Sequence, residues 1–175
     1  MRALVVIAHR WGGLAVSLVF VVSGATGVVF LTGGPQLLTK ITGRLHESLG
    51  LGRAGSMLVG IATAVGLLLE LSGLYLWLKR RSISVSFRGG LYRAAFDLHH
   101  AVGALGSVFM MVILGSAVAY FFVLPRDQFA ETVNTFHHGR AFGTPVKLLY
   151  GAASVGFVVQ GASGVLMWAR RTKRL

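Results

Sequence analysis

Four apolar stretches, each long enough to cross a bilayer, constrain this chain more than any other feature. They cover about residues 11–31, 57–78, 100–124 and 146–169. A helix needs roughly 20 residues to span the hydrocarbon layer. Inside that layer every backbone polar group must find a partner within the chain, so helices are the default. Charged residues make up only 13% of the 175, where a soluble domain usually carries about 25%. The expected fold is all-α: an integral membrane four-helix bundle, with residues 1–175 as a single domain. Residues 1–4 suit the start of a signal sequence. The polar His9-Arg10-Trp11 interrupts that run, however, and the stretch after it is too long for such a segment. It is read as a retained helix.

The chain repeats itself, in halves of about 1–85 and 91–175. His9, Gly13 and Ser17 recur as His99, Gly103 and Ser107 at an offset of 90. His46 and Gly52 recur as His137 and Gly143, and Ser72-Gly73 with Trp77 as Ser163-Gly164 with Trp168, at an offset of 91. Lys79-Arg80 is matched by Arg170-Arg171. Both halves enter the membrane from the same side, so the repeat is parallel, with its twofold axis along the membrane normal. Such an axis pairs His9 with His99 near one face and His46 with His137 near the other.

Basic residues set the expected orientation. The termini and the middle loop hold eleven Lys and Arg, the two other loops six. The side with eleven is expected to be cytoplasmic, with both termini there. Trp11, Trp77 and Trp168 fall at that same interface, where an aromatic belt is expected. On the opposite side residues 37–49 and 127–136 read as short amphipathic helices lying at the interface.

The absence of cysteine excludes thiolate-held Fe–S clusters, covalently attached c-type haem, thiolate zinc and disulfides. The net charge of +12 lies beside apolar runs, as a topology signal does, and is not read as nucleic-acid binding. Bis-histidine ligation needs two imidazoles on opposite sides of one porphyrin. A twofold axis supplies that arrangement twice, so two b-type haems are expected, with His9, His99, His46 and His137 as axial ligands. Gly13 and Gly103 follow the first pair by four residues, on the same helix face, and leave room for a flat ring. Gly50 repeats that spacing after His46, while Ala141 stands at the equivalent place after His137. His100 and His138 are the alternates, since helical neighbours point about 100° apart and both cannot face one iron.

At these residues the chain resembles the PepSY-associated transmembrane family, which includes iron-regulated inner-membrane proteins and ferric-siderophore reductases. The resemblance lies in His9-Arg10-Trp11-Gly12-Gly13, in Leu45-His46 through Leu49-Gly50, and in Asp97-Leu98-His99. It continues in His137-His138-Gly139 and in the two Ser-Gly segments that end at Trp77 and Trp168. It implies a bacterial inner membrane, haem b, and electrons passing outward to a ferric substrate. Larger members carry a PepSY domain between the first two helices; here residues 32–56 are too few for one.

The remaining polar residues invite specific readings. Glu70, inside the second span, is costly at that depth and is a candidate proton or quinol site, or a neutral carboxyl bonded to Gln160. Arg10 and Asp97 flank the first His pair, and Arg10 suits a haem propionate. Arg44, Arg53 and Arg140 surround the second pair, for ferric chelates, propionates or lipid headgroups. Met110 and Met111 read as packing. No catalytic constellation is evident. The expected partners are the bilayer, a cytoplasmic reductant or quinol, and a ferric chelate outside. The expected function is a di-haem membrane cytochrome of ferric-reductase type. An accessory subunit bound to a membrane protein partner, or a His-based metal transporter, is the alternative.

Overall fold

The computed structural model describes residues 1–32, 35–79, 81, 83–123 and 126–172, without the side chains of 126, 127 and 172. Arg80, Leu124, Lys173 and Arg174, used above, lie outside the described residues, as do the side chains of Arg126 and Asp127. The described chain is all-α. Its helices are α1 (Arg2–Thr32), α2 (Gln36–Ser48), α3 (Gly52–Leu78), α4 (Gly90–Val118), α5 (Arg126–His137) and α6 (Gly143–Thr172). A π-helical stretch, Ala119–Val123, extends α4, and one 3-10 turn, Arg140–Phe142, leads into α6. Four of these segments are long and apolar enough to cross a membrane. The two amphipathic helices, α2 and α5, lie where the hydrophobic pattern puts them. They share one end of the bundle, the far end; the termini share the other.

Two spanning helices start earlier than their apolar runs. α1 begins at Arg2 and not near residue 11, and α4 at Gly90 and not near residue 100. The apolar average drops at His9-Arg10 and at Asp97-His99-His100, but His9, Asp97, His99 and His100 find hydrogen-bond partners, and the helix continues through them. Asp97 is 4% exposed and accepts hydrogen bonds from Arg93 Nε (2.9 Å) and the Ser86 amide (3.3 Å). It ties the segment between the halves to α4, away from the histidine pair it was expected to flank.

The four long helices form a ring. α1 packs against α3 and α6, and α4 packs against the same two. Thus α1 and α4 stand on one diagonal, α3 and α6 on the other. Exchanging the halves exchanges the members of each diagonal, which is the arrangement a parallel twofold repeat requires. α2 leans on α1 and α3, while α5 leans on α4.

Lipid gives helices little hydrophobic reason to associate, so small residues and close packing must hold the ring. The α1–α6 interface shows this. A Cβ on Gly24 would lie 2.6 Å from the Ser154 carbonyl oxygen, and one on Gly161 2.9 Å from that of Ser17. Leu18, Leu68 and Leu105 stand exposed on the outer surface, as lipid-facing side chains do. The core lies at mid-depth around Met110, Ile113, Leu114, Tyr150 and Phe157.

Gly50 has a different task from the one its spacing suggests. α2 ends before it, at Ser48; Leu49 takes φ 51° and Gly50 φ 76°. Their amides bond back to the Leu45 and Arg44 carbonyls. Gly50 is therefore the left-handed stop of α2, not a notch beside His46.

Candidate functional site

Each histidine pair predicted from the repeat comes together in space. His9 on α1 and His99 on α4 face each other across the diagonal near the termini, with ring centres 6.3 Å apart. His46 on α2 and His137 at the end of α5 meet at the far end, 6.0 Å apart. The ring planes are nearly perpendicular in the first pair (89°) and steeply crossed in the second (71°).

The same device orients all four rings. His9 Nδ1 lies 2.8 Å from Ser72 Oγ, and His99 Nδ1 2.9 Å from Ser163 Oγ. Each serine hydroxyl already donates to a carbonyl of its own helix, Leu69 for Ser72 and Val159 for Ser163. Its oxygen therefore accepts, and the imidazole donates from Nδ1. At the far end His46 Nδ1 donates to the Ser23 carbonyl (3.0 Å) and to Thr26 Oγ1 (3.0 Å). His137 Nδ1 donates to the Ile113 carbonyl (3.0 Å) and to Ser116 Oγ (3.1 Å). With Nδ1 carrying the proton, Nε2 keeps its lone pair on every ring. This is the tautomer that binds a metal through Nε2, held by outer-shell hydrogen bonds.

The residue after each hydroxyl is small. A Cβ on Gly73 would lie 3.1 Å from His9 Cε1, one on Gly164 3.9 Å from His99 Cε1, and one on Gly27 3.7 Å from His46 Cε1. Ala117 follows Ser116. The duplicated Ser-Gly pairs thus have a purpose: the hydroxyl fixes the ring and the glycine admits it. Sequence reasoning found Ser72 and Ser163 only as repeat markers and missed Thr26, Gly27 and Ser116. A repeat search extended to Thr26 and Ser116, at offset 90, finds them.

Both pairs line cavities. The terminal-end cavity, of about 270 Å³, is bordered by His9, His99, Arg10, Gly13, Gly103 and Glu70 among others. The far-end cavity, of about 330 Å³, is bordered by His46, His137, His138, Phe30, Tyr120 and Tyr150 among others. Gly13 opens onto free space, with nothing within 4 Å of a Cβ placed there. Gly103 instead makes room for Gln160, whose Nε2 would stand 2.7 Å from such a Cβ and donates to the His99 carbonyl (2.9 Å). Gln160 thus directs its amide to His99, not to Glu70.

Among the described residues four buried polar atoms have no protein partner: Arg10 Nε, Trp77 Nε1, Ser23 Oγ and Tyr150 Oη. Their residues divide evenly, Arg10 and Trp77 lining the terminal-end cavity and Ser23 and Tyr150 the far-end one. Buried donors normally find acceptors, and these four stand without one in residues that border the cavities. Trp77 and Trp168 are part-buried and line the terminal-end cavity, while Trp11 is half exposed. Arg44, Arg53 and Arg140 are exposed and line neither cavity.

The alternates sit differently. His100 donates from Nδ1 to the Phe96 carbonyl of its own helix (2.9 Å) and packs on the Phe96 ring. His138 stacks on Phe30, with ring centres 6.1 Å apart. Both line a cavity, but the imidazole ring contacts between the halves join His9 to His99 and His46 to His137.

Burial, then the nearby His46 and His138 rings, push His137 down from 6.5 to about 4. Burial likewise lowers His46, partly offset by its bond to the Ser23 carbonyl. A lowered histidine stabilises the fold fully above 6.5, where folded and unfolded states are both neutral. As pH falls, the unfolded chain takes the proton first, and stability drains until about 4, where the folded ring also charges. Thermal unfolding of the ligand-free chain in detergent is expected to follow this window, and His137→Asn to flatten the profile.

The family described as PepSY-associated TM region matches residues 30–131 and 122–171. The chain belongs to that family. The match takes in His46, His99 and His137, and leaves His9 outside it. No curated protein and no solved structure matches. In this PepSY-associated TM chain the paired histidines, their hydroxyl anchors and the two cavities form one construction made twice.

Proposed function

We propose that this chain is a membrane cytochrome b that carries two haems and moves electrons across the bacterial inner membrane to a ferric complex outside. His9 and His99 would hold one haem, His46 and His137 the other. The doubled imidazole pair carries this reading. Two imidazoles bonded to opposite sides of one metal, with metal–nitrogen bonds of about 2 Å, put their ring centres roughly 6 Å apart. The observed 6.3 and 6.0 Å agree with that span. Among the described residues no three His, Cys, Asp or Glu cluster to hold a bare metal ion. Pairs suit a cofactor that supplies the remaining ligands itself.

The fit extends to the unpartnered donors. Arg10 Nε and Trp77 Nε1 suit a carboxylate at the terminal end, and Tyr150 Oη and Ser23 Oγ at the far end. When bound, haem supplies one-electron redox chemistry at a potential set by axial ligands and burial. The chain's own part is to orient the imidazoles, keep Nε2 unprotonated and exclude water. By the positive-inside count the terminal end faces the cytoplasm and its reductant or quinol. Glu70, lining that same cavity, is the group there suited to take a proton from a quinol.

Vesicles holding the haem-loaded protein, with ascorbate trapped inside and ferricyanide outside, test this. Ferricyanide is expected to be reduced by vesicles of the wild type and not by His9→Ala. Equal rates in empty vesicles would contradict the proposal. A stoichiometric partner in native membranes, with no reduction by the chain alone, would make it an accessory subunit. Ser163→Ala removes the acceptor that holds His99 Nδ1; haem affinity at the terminal end is expected to fall about 10–100-fold, as outer-shell losses do. Haem titration into the ligand-free protein measures it.

A further inference from the structure

The two cavities approach each other at mid-depth, and one side chain borders both. Phe20 of α1 is the only residue common to the two linings among the described residues. Its ring is held by its neighbours. Gly66 of α3 lies so close that a Cβ there would overlap Phe20 Cζ. Phe157 of α6 packs on it, with ring centres 5.5 Å apart and planes tilted by 54°. The core cluster around Met110 continues from the same ring.

The repeat shows that this place is special on one half only. Phe20 corresponds to Met110 at offset 90, while Gly66 corresponds to Phe157 at the offset of 91 that relates α3 to α6. Met110 Cε seats over Gly156 as the Phe20 ring seats over Gly66. Yet Met110 is 0% exposed and borders neither cavity. Each side chain has a glycine beneath it, one residue out of register between the halves, but only the ring of the first half borders both sites.

We infer that Phe20 is a positioning residue: it is the partition that keeps the two cofactor cavities distinct and closes each to water from the other. This rests on the two-haem reading. Cutting the side chain back joins spaces of about 330 and 270 Å³. Water entering the joined space favours the ferric state, which carries one more positive charge than the ferrous. Since solvent exposure and burial set such potentials, both midpoints fall together.

Potentiometric titration of the haem-loaded protein in detergent, with a haem-to-protein ratio for each variant, tests this. Phe20→Ala is expected to keep both haems and shift both midpoints negative, with Phe20→Leu between it and the wild type. Met110→Ala, a core truncation that borders neither cavity, is expected to leave both midpoints in place. Gly66→Ala displaces the ring without changing any cavity-lining residue. It is expected to shift both midpoints, and it decides the matter if Phe20→Ala fails to fold. Unchanged midpoints in a two-haem Phe20→Ala, or a shift confined to one, overturn the inference, as does an equal shift in Met110→Ala. A wild type without haem overturns the two-haem reading and takes this inference with it.

Discussion

His99→Ala is expected to lower the haem content from two per chain to one and to leave the far-end spectrum intact. The His99 imidazole faces His9 across the bundle diagonal, and Ser163 and Gly164 shape its place. His100 points elsewhere on the same helix and is fixed to the Phe96 carbonyl. His9 then keeps an unpaired lone pair over an open cavity. His137→Ala should produce the mirror result, losing the far-end haem alone. His100→Ala should keep both, because its ring is fixed to its own helix and the ring facing His9 is that of His99. Pyridine haemochrome assays against polypeptide concentration read all three. One haem lost from His100→Ala, with both kept in His99→Ala, would exchange the two assignments.

Two glycines of one helix should respond in opposite ways to the same substitution. Gly24→Leu brings a side chain against the Ser154 backbone, where even a Cβ would sit 2.6 Å from the carbonyl oxygen, and near Phe157 and Val158 at 3.1 Å. Backbone cannot move aside as a flexible side chain does, so α1 and α6 must separate. The expected loss is at least the 1–3 kcal/mol typical of an overpacked core, about the upper end or beyond here. Gly13→Leu meets nothing within 4 Å at Cβ. The fold should stand unchanged while the added side chain fills the terminal-end cavity. Denaturation in detergent should then show Gly24→Leu weakened and Gly13→Leu unaltered. Haem assays should show Gly13→Leu with the far-end haem alone. A stable Gly24→Leu would mean that the α1–α6 contact is looser than its distances indicate.

Much of this was legible in the sequence because a membrane and a repeat each restrict the possibilities. Apolar length marked the four spans, and the offset of 90 to 91 paired the imidazoles that meet in space. Helix starts were less legible, since His9-Arg10 and Asp97-His99 look like the end of an apolar run when their partners are unknown. Spacing alone misread Gly50, because a glycine four residues after a histidine serves equally as a notch or as a helix stop, and only φ distinguishes them. It also misread Gly103, whose open side is taken by Gln160 from a helix 57 residues on in sequence. The hydroxyl anchors were invisible for a related reason. Serine and threonine in a membrane helix usually bond their own turn, and all of these do so while also accepting from an imidazole. That Trp77 and Trp168 also border a cavity was not legible, since depth in the bilayer says nothing of which way a helix face turns.

Everything proposed for this chain depends on the imidazole pairs gripping iron from both sides. Near-infrared and electron paramagnetic resonance spectra of the oxidised, purified protein report on that ligation, and the haem-to-protein ratio counts the sites. Low-spin bis-imidazole signals from two centres, at two haems per chain, are the expected result. Protein expressed with ample porphyrin that stays colourless, or that shows only high-spin five-coordinate iron, would contradict it.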